Sequence, residues 1–463
     1  MAESGSGNQF EQIAALYTDF IEEAYATSAL AREKNLIQAI ASVPAPGQAS
    51  DADLETVASA VAANRERFGR PQILVDVTVL ASQDARTGIQ RVTRGILMAL
   101  ITDPPPGYRV EAVRAEGDLY LYTRRFTSKC LGLEENVLTD DPVETGRSDL
   151  FLGLEWAAGL IPAMKPWFLK RRRSGMQIVF VVHDLLALLH PQFFTPAMPP
   201  AALEWLTTVV EIADKVACVS RTVADELHAW LVGAKPQRLR PLSLGYFHHG
   251  ADLKASLPSK GMPEDSQLIV AKMRTRPSFL MVGTIEPRKG HRQALDAMEL
   301  LWADGVDANL VIVGQKGWMM DDFIERIEQH AEGESRLFWL QGISDEMLEE
   351  VYRSTCALLA ASKGEGFGLP LIEAAQHGLP IIARDIPVFR EVAAEHAFYF
   401  HGEKAQALAD ALRSWQLLGD AIPASTGMPW LSWKQSSRQL LDVVLGRRCY
   451  RSWPGDELSV VQQ

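Results

Sequence analysis

The spacing of hydrophobic positions along the chain changes near residue 70. Before that point, apolar residues recur three or four positions apart, as at Phe10, Ile13 and Leu16, which is the period of one face of an α-helix. A stretch that contains Pro and Gly, residues 42–53, interrupts this pattern. Residues 1–70 are therefore predicted to form a helical extension of the chain.

From residue 71 onward, short apolar runs alternate with amphipathic ones. The apolar runs are rich in Val, Ile and Leu, which is typical of β-strands that are covered on both faces. The amphipathic runs between them have helical spacing. The nine predicted strands are residues 72–77, 149–154, 177–182, 215–220, 278–283, 309–314, 336–341, 356–361 and 380–383. This alternation predicts an α/β fold with parallel sheets and crossover helices.

A change of composition divides this α/β region into two. Residues 245–277 are rich in Gly, Pro, Ser and charged side chains. We therefore expect one α/β domain at 71–260 and a second at 261–430. Because ligands bind such folds beyond the carboxyl ends of the strands, the cleft between the domains is the expected ligand site.

Composition excludes several classes of protein. Of the 463 residues, 47% are hydrophobic and 22% are charged, so the chain can bury large cores and is not a disordered or disulfide-scaffold protein. The net charge of −12 argues against a nucleic-acid partner. The four cysteines are far apart, which leaves a metal site or a disulfide framework unsupported. Asp51-Ala52-Asp53 looks like a metal-binding motif, but it follows no strand, and Asp51 is predicted to cap a helix.

Neither a leader peptide nor a membrane-spanning helix is expected. The first residues lack the charged and apolar regions of a signal peptide. The longest apolar run, MQIVFVVHDLLALLH, is broken by His183 and Asp184 and is too short to span a bilayer.

The segment 361–391 combines a strand end, a Gly-rich loop and a helix start. Its three glycines between 364 and 368 leave the backbone open to close approach, and the N–H groups of the following helix start favour a diphosphate. Glu365 and Glu373 can accept hydrogen bonds from sugar or ribose hydroxyls. A tight turn with a solvated glutamate is an equally open interpretation of the spacing, since Gly-rich loops are common.

A second strand-loop-helix segment, residues 281–291, brings Arg288 and Lys289 to the mouth of its loop. Two cations can neutralise a diphosphate leaving group. The alternative is a solvated basic pair, although cations at a helix start oppose the helix dipole unless an anion is present. His183 follows a predicted strand and either faces the cleft or is a structural histidine. Gly88 at a predicted helix start is a weak signal by itself.

Taken together, these segments resemble the retaining glycosyltransferases of family 4. The resemblance covers about residues 71–449. Its most specific motif is Glu-x7-Glu, which stands here as Glu365-GFGLPLI-Glu373. The other matching motifs are VGTIEPRKGH at 282–291, TGIQR at 87–91, VVHDLL at 181–186 and CVSRTVADEL at 218–227.

The resemblance implies the B-type fold, in which two Rossmann-like α/β domains face a cleft. The helical extension at the N-terminus would precede them. In such folds the end of the chain, here 431–463, forms a helix that crosses back to the first domain. Trp430 and Trp433 are the expected anchors of that helix, by packing alone.

The resemblance also implies a role for each matched residue. His183 and Glu365 are the expected catalytic residues, with His183 near the anomeric carbon of the donor sugar and Glu365 at its hydroxyls. Glu373 is expected to bind the nucleotide ribose. The other expected donor contacts are Gly88, Arg288 and Lys289 at the diphosphate, the backbone N–H groups of Phe367, Gly368 and Leu369, and Gly342 and Ile343 at the base. Gly283-Thr284 departs from the Gly-Arg of many relatives, so Arg288 is expected to supply the second cation.

Within the family, the chain is most similar to bacterial mannosyltransferases that build O-antigen and capsule polysaccharides. This implies transfer of mannose from GDP-mannose, as substrate and without a cofactor or metal ion, onto a lipid-linked or polysaccharide acceptor. Another donor (dTDP-rhamnose, UDP-glucose or UDP-galactose) stays open, because no residue distinguishes these donors. A non-catalytic scaffold of a polysaccharide assembly complex is a further alternative, as is a sugar-nucleotide epimerase.

A basic segment with interleaved aromatic residues, KPWFLKRRR at 165–173, predicts contact with an anionic membrane surface. A solvated basic helix end is the alternative. The expected contact residues are Lys165, Trp167, Lys170, Arg171, Arg172 and Arg173. The acceptor is then a lipid-linked oligosaccharide, and the protein is expected in the cytoplasm, peripheral on the inner membrane. Residues 8–68 are the expected docking site for a protein partner.

Overall fold

The computed structural model describes residues 34–35, 37–39, 42, 50–54, 70–83, 87–134, 138–238, 240–251, 261–262 and 266–454. The predicted helical extension over 1–70, and with it the expected docking site at 8–68, lies almost wholly outside these residues. Asp51 is the first residue of a helical turn. The cap of this turn is Ser50 and not Asp51, because the Ser50 hydroxyl oxygen accepts a hydrogen bond from the Asp53 N–H at 3.2 Å.

The first domain is built on an eight-stranded sheet. Its strands are β1 (Gln72–Asp76), β2 (Arg109–Glu116), β3 (Leu119–Tyr122), β4 (Leu150–Gly153), β5 (Gln177–Val182), β6 (Lys215–Cys218), β7 (Leu242–Tyr246) and β14 (Arg451–Trp453). Their order is β14-β7-β6-β5-β4-β1-β2-β3. Neighbouring strands are parallel except at the two edges, where β14 and β3 are antiparallel to their partners.

Helices cover both faces of this sheet, as parallel strands require. They are α1 (Thr78–Ser82), α2 (Gly88–Thr102), α3 (Arg124–Cys130), α4 (Leu160–Ala163), α5 (Lys165–Arg173), α6 (Leu186–Leu189), α7 (Met198–Ile212), α8 (Arg221–Ala234) and α16 (Trp433–Val444).

The second domain has a six-stranded, fully parallel sheet. Its strands are β8 (Ser278–Val282), β9 (Asn309–Val313), β10 (Leu337–Leu340), β11 (Ala357–Ala360), β12 (Ile381–Arg384) and β13 (Phe398–Phe400), in the order β10-β9-β8-β11-β12-β13. Its helices are α9 (Ser266–Met273), α10 (His291–Ala303), α11 (Asp321–Glu328), α12 (Asp345–Ser354), α13 (Leu369–Gln376), α14 (Pro387–Ala393) and α15 (Ala405–Leu417). The predicted α/β fold with two sheets is therefore present.

The continuous hydrophobic runs in the sequence correspond to the buried strands of the two sheets. All nine predicted runs contain a strand, and β1, β9 and β11 are buried along their whole length. Five further strands, β2, β3, β7, β13 and β14, have no such run. β2 shows why such strands carry no continuous apolar run. It lies near the sheet edge and is half-exposed, so polar residues alternate with apolar ones along it.

Two elements of the C-terminal segment, α16 and β14, join the first domain. α16 packs against α2, where a Cβ on Gly95 would lie 2.5 Å from the Trp433 ring. It also packs against β7, where a Cβ on Gly245 would lie 2.5 Å from Val443. Trp433 is buried, whereas Trp430 is 44% exposed. The expectation that both tryptophans anchor the helix is therefore wrong for Trp430, which stands before the helix.

Candidate functional site

Two loops meet at the carboxyl edge of the second sheet. β8 and β11 are parallel neighbours, so the segments that follow them, residues 283–290 and 361–368, emerge side by side. A Cβ on Gly290 would lie 2.4 Å from the carbonyl oxygen of Ala361, so the two backbones are in direct contact. The structure thus brings together the two segments that the sequence singled out separately.

Glu365 receives both cations of the neighbouring loop. Its Oε1 lies 2.6 Å from Nζ of Lys289, and its Oε2 lies 2.7 Å from Nη1 of Arg288. The Ser362 hydroxyl donates to Oε1 at 2.7 Å. Arg288 makes a second ion pair, from Nη2 to Oε1 of Glu286 at 2.6 Å. Sequence reasoning missed Glu286, although it stands in the same EPRK run.

The electrostatics of this cluster keep Glu365 ionised. Burial raises the pKa of its carboxyl, but the charges of Arg288 and Lys289 outweigh burial and lower the pKa to about 2. Glu286 differs, because burial raises its pKa above the usual value despite the same two cations. At neutral pH Glu365 is therefore a carboxylate that only accepts hydrogen bonds.

Helix α13 begins beside this cluster. Gly368 precedes it with φ of +101°, a conformation that favours glycine, and no side chain caps the helix N-terminus. Pro370 lies in the first turn, where a missing N–H costs nothing. The positive end of the helix dipole adds to the positive charge of Lys289, and the cavity between the two loops is lined by Lys289, Glu365, Gly368 and Pro370 among others. This arrangement suits an anion.

The Gly-rich loop also contacts the first domain. A Cβ on Gly366 would lie 1.9 Å from the carbonyl oxygen of His183. The Ser220 hydroxyl donates to the carbonyl oxygen of Gly366 at 2.8 Å. Since His183 follows β5 and Ser220 follows β6, the carboxyl edges of the two sheets face each other across this loop.

His183 lies at this contact as a neutral imidazole. Burial lowers its pKa, and its Nε2 lies 2.7 Å from the carbonyl oxygen of Leu154. Because a carbonyl only accepts, Nε2 carries the proton and Nδ1 is left as an acceptor. A second histidine, His249, is buried and lies 6.2 Å from His183 between ring centroids and 4.9 Å from the ring of Phe367. Sequence reasoning missed His249, which no motif marked.

The second glutamate of the motif is not exposed to the cleft. Glu373 is 2% exposed, and its Oε1 pairs with Nη1 of Arg91 at 2.6 Å. Its Oε2 accepts a hydrogen bond from the Tyr352 hydroxyl at 2.6 Å. Arg91 belongs to the TGIQR run, yet sequence reasoning gave it no role. Ribose binding by Glu373 stays a prediction.

The remaining predicted donor contacts lie around this core. Gly88 is the first residue of α2, which Thr87 caps together with Gln90 in a capping box. Gly342 has φ of +62° and, with the partly buried Ile343, follows β10. Because β10 is three strand positions from β11, these two residues lie ~14 Å along the sheet edge from the Glu365 loop. Nothing in the geometry tests their contact with a base.

A cross-domain contact beside the loop was also missed. Glu391 on α14 accepts hydrogen bonds from the N–H groups of Arg221 and Thr222, at 2.7 and 2.8 Å, and so caps α8 of the first domain. Its Oε1 also pairs with Nε2 of His248 at 2.8 Å. The His248 ring lies 5.3 Å from that of Phe367. We call these contacts of Glu391 the clasp.

The basic segment that predicted membrane contact is partly used inside the chain. It forms α5, where Nζ of Lys165 pairs with Glu211 at 2.6 Å and Arg172 donates to the Glu211 carbonyl oxygen at 3.0 Å. Trp167 packs on the ring of Tyr120, 4.9 Å away. Arg171 lies over the Trp167 ring, and Lys170 and Arg173 are exposed. Membrane contact stays a prediction.

Two properties of the described residues bear on the site. No helix among them is both long and apolar enough to cross a bilayer. Within the same ranges, no group of three or more His, Cys, Asp or Glu side chains is placed to hold a metal ion.

Comparison with known proteins identifies a matching family and relatives that are similar in sequence. Residues 266–420 match the family described as "Glycosyl transferases group 1". The chain is 45% identical over 399 residues to the serotype-specific mannosyltransferase WbdA of Escherichia coli, across 85% of this chain and 47% of that protein. It is 32% identical over 145 residues to the O-antigen chain mannosyltransferase RfbU of Salmonella typhimurium, across 31% of this chain and 40% of that one. The chain spans about half the length of the WbdA proteins that it matches.

Solved structures with the same fold are remote in sequence. HepE of Anabaena in complex with UDP and glucose superposes with a TM-score of 0.52 at 14% identity, over 81% of this chain and 96% of that one. The catalytic domain of starch synthase IV from Arabidopsis thaliana, bound to ADP and acarbose, gives 0.53 at 14% identity, over 82% of this chain and 99% of that one. The chain therefore has the B-type glycosyltransferase fold, with two Rossmann-like α/β domains and a group 1 glycosyltransferase match in the second.

Proposed function

We propose that the chain is a mannosyltransferase that takes mannose from GDP-mannose and adds it to a lipid-linked glycan of bacterial O-antigen. The similarity to the mannosyltransferase WbdA supports the sugar, and the similarity to the O-antigen chain mannosyltransferase RfbU supports the class of product. GDP-mannose is a substrate, and no cofactor is needed. The basic side chains exposed on α5 fit an acceptor at the inner face of a membrane.

The observation that carries this proposal is the cluster of Arg288, Lys289 and Glu365 beside the start of α13. A nucleoside diphosphate leaves with negative charge, and catalysis requires that charge to be met in the transition state. Lys289, Arg288 and the N-terminal end of α13 supply positive charge in one place. Lys289, which is paired with Glu365 in this structure, would pair with the diphosphate instead.

Glu365 then has a role of its own. Arg288, 2.7 Å away, stays its partner. Burial raises the pKa of the Glu365 carboxyl, but the charge of Arg288 lowers it and keeps the carboxyl ionised. A buried carboxylate of this kind accepts hydrogen bonds from sugar hydroxyls and stabilises positive charge that develops at the anomeric carbon. His183 offers an Nδ1 acceptor on the opposite domain.

For a retaining reaction we propose attack from the face that the diphosphate leaves. The bond from the anomeric carbon to the phosphate oxygen breaks, and the acceptor oxygen bonds to that carbon. The acceptor proton passes to the departing phosphate oxygen. A trapped covalent glycosyl-enzyme would contradict this path.

Calorimetry and a transfer assay test the proposal. GDP is expected to bind more tightly than UDP, ADP or dTDP. Radiolabelled mannose is expected to pass from GDP-mannose to a lipid-linked acceptor.

Two variants test the site itself. Lys289→Met and Glu365→Gln should each slow transfer ~100-fold or more, as loss of transition-state stabilisation does. Lys272→Met and Glu350→Gln, which alter partly exposed ion pairs on α9 and α12, are matched controls that should keep full activity. Full turnover by Glu365→Gln, or no binding of any of the four nucleotides, would overturn the proposal.

A further inference from the structure

The Glu373 carboxylate is held from both domains. Its own domain contributes the Tyr352 hydroxyl, which donates to Oε2 at 2.6 Å. The first domain contributes Arg91, whose Nη1 lies 2.6 Å from Oε1. Tyr352 is itself fixed by stacking on His377, with ring centroids 5.2 Å apart. Each oxygen therefore has one defined partner, and the cationic partner comes across the domain boundary.

We propose that Arg91 is a positioning residue of the nucleotide site, which holds the Glu373 carboxylate in the orientation that accepts the ribose hydroxyls of the donor. The inference rests on the proposed function, because it requires a nucleotide with a ribose. The Glu-x7-Glu motif places ribose recognition in the second domain alone. With Arg91, the first domain takes part in it as well.

The number of acceptor sites on the carboxylate permits this. An ionised carboxylate has about four lone-pair sites. Arg91 and Tyr352 each take one, which leaves about two, the number that the paired 2′ and 3′ hydroxyls of a ribose need. Because the Glu373 side chain is 2% exposed, a ribose has to displace neighbouring side chains to reach these two sites. Two fixed partners also stop the carboxylate from rotating, so a ribose does not have to order it on binding.

The start of α2 holds Arg91 in place. Thr87 and Gln90 close a capping box at this helix N-terminus, and the N–H of Arg91 donates to the carbonyl oxygen of Thr87 at 3.0 Å. The Arg91 side chain is 19% exposed and contacts Glu373 through Nη1 alone. Among the described residues, nothing accepts a hydrogen bond from its Nη2. One N–H contact to the carboxylate is within reach of a lysine as well.

Calorimetric titration with GDP and with 2′,3′-dideoxy-GDP tests this inference. Arg91→Met should raise the Kd for GDP ~10-fold, the size of a lost hydrogen bond to a charged group. The Kd for dideoxy-GDP should change less than ~2-fold, because that nucleotide has no hydroxyls for Glu373 to bind. In the transfer assay, the donor KM should rise while kcat is kept.

Three further variants complete the experiment. Arg91→Lys should recover most of the affinity for GDP, and Arg91→Gln repeats the test should Arg91→Met not fold. Arg438→Met is the matched control, because Arg438 pairs with Asp103 at the far end of α2, and it should change neither Kd.

The outcomes separate this inference from the proposed function. An equal rise in Kd for both nucleotides, or no change for GDP, would overturn the role of Arg91. Failure of the unaltered chain to bind GDP would instead overturn the proposed function.

Discussion

Gly366 lies where the Gly-rich loop touches the first domain. Its place in a Gly-rich loop indicated a backbone open to a ligand. In the folded chain, the missing side chain makes room for the first domain, since a Cβ would lie 1.9 Å from the carbonyl oxygen of His183. The residue type was readable from the sequence, but the partner was not, because His183 is distant in sequence.

We expect Gly366→Ala to separate the two domains at this contact. A backbone carbonyl cannot move aside as a flexible side chain can, so the free energy of unfolding should fall by about 1–3 kcal/mol or more. GDP binding should weaken as well, because the loop carries Glu365. Urea denaturation and calorimetry measure the two effects.

The matched control for this substitution is Gly233→Ala. A Cβ there meets nothing within 4 Å, and the residue lies in helix α8, so stability should stay equal or rise. Equal stability of Gly366→Ala and the unaltered chain would show that the loop and His183 are not in contact.

At the scale of elements, α8 and α14 belong to different domains but are joined by one carboxylate, which lies on α14 and contacts the start of α8. Ser220 caps α8 through its own side chain, as the sequence pattern allows. Glu391 on α14 adds a second cap at the N–H groups of Arg221 and Thr222. A cap from a neighbouring residue can be predicted from local spacing, whereas a cap from another domain depends on how the two domains meet.

The clasp should make stability depend on pH in the acidic range. Burial raises the pKa of Glu391, but hydrogen bonds from His248, Thr222 and Arg221 outweigh burial and lower it from 4.5 to about 2. Its contribution to the free energy of unfolding is therefore complete above pH 4.5 and is lost as the pH falls towards 2. Such a displacement corresponds to about 3 kcal/mol.

Glu391→Gln should remove this contribution. In urea denaturation the variant should be less stable than the unaltered chain by about 3 kcal/mol at pH 7, and the difference should shrink between pH 4.5 and 2. Glu116→Gln, at a surface pair with Arg114, should cost less than about 1 kcal/mol. A difference that does not vary with pH would contradict the clasp.

At the scale of the whole molecule, the first domain is completed by the end of the chain. α16 fits against Gly95 of α2 and Gly245 of β7, and β14 adds an antiparallel edge strand beside β7. Residues of α2, β7 and α16, which are far apart in the sequence, therefore pack together around Trp433 and Val443.

Trp433→Ala should weaken the entire first domain. Its buried ring fills the space above Gly95, so its loss should lower the free energy of unfolding by about 3–5 kcal/mol. Trp430→Ala is the natural control, because that ring is 44% exposed and should cost about 0.5 kcal/mol or less. Thermal unfolding of both variants measures this; equal losses would contradict the packing.

The sequence by itself determined the class of fold and the buried strands, and it predicted an anion site at the Glu365 loop. Those features are local, since continuous apolar runs indicate strands covered on both faces and Gly-rich turns at helix starts favour anions. Half-exposed edge strands such as β2 carry no such run and were missed.

Only the tertiary structure decided which side chains meet across the cleft. The pairs Arg91 with Glu373 and Arg221 with Glu391 join residues of different domains. Their geometry depends on the packing of two sheets against each other, and no periodicity along the chain records that packing. For the same reason the sequence did not distinguish Trp433 from Trp430. The two stand three residues apart, yet the ring of Trp433 is buried and the ring of Trp430 is exposed.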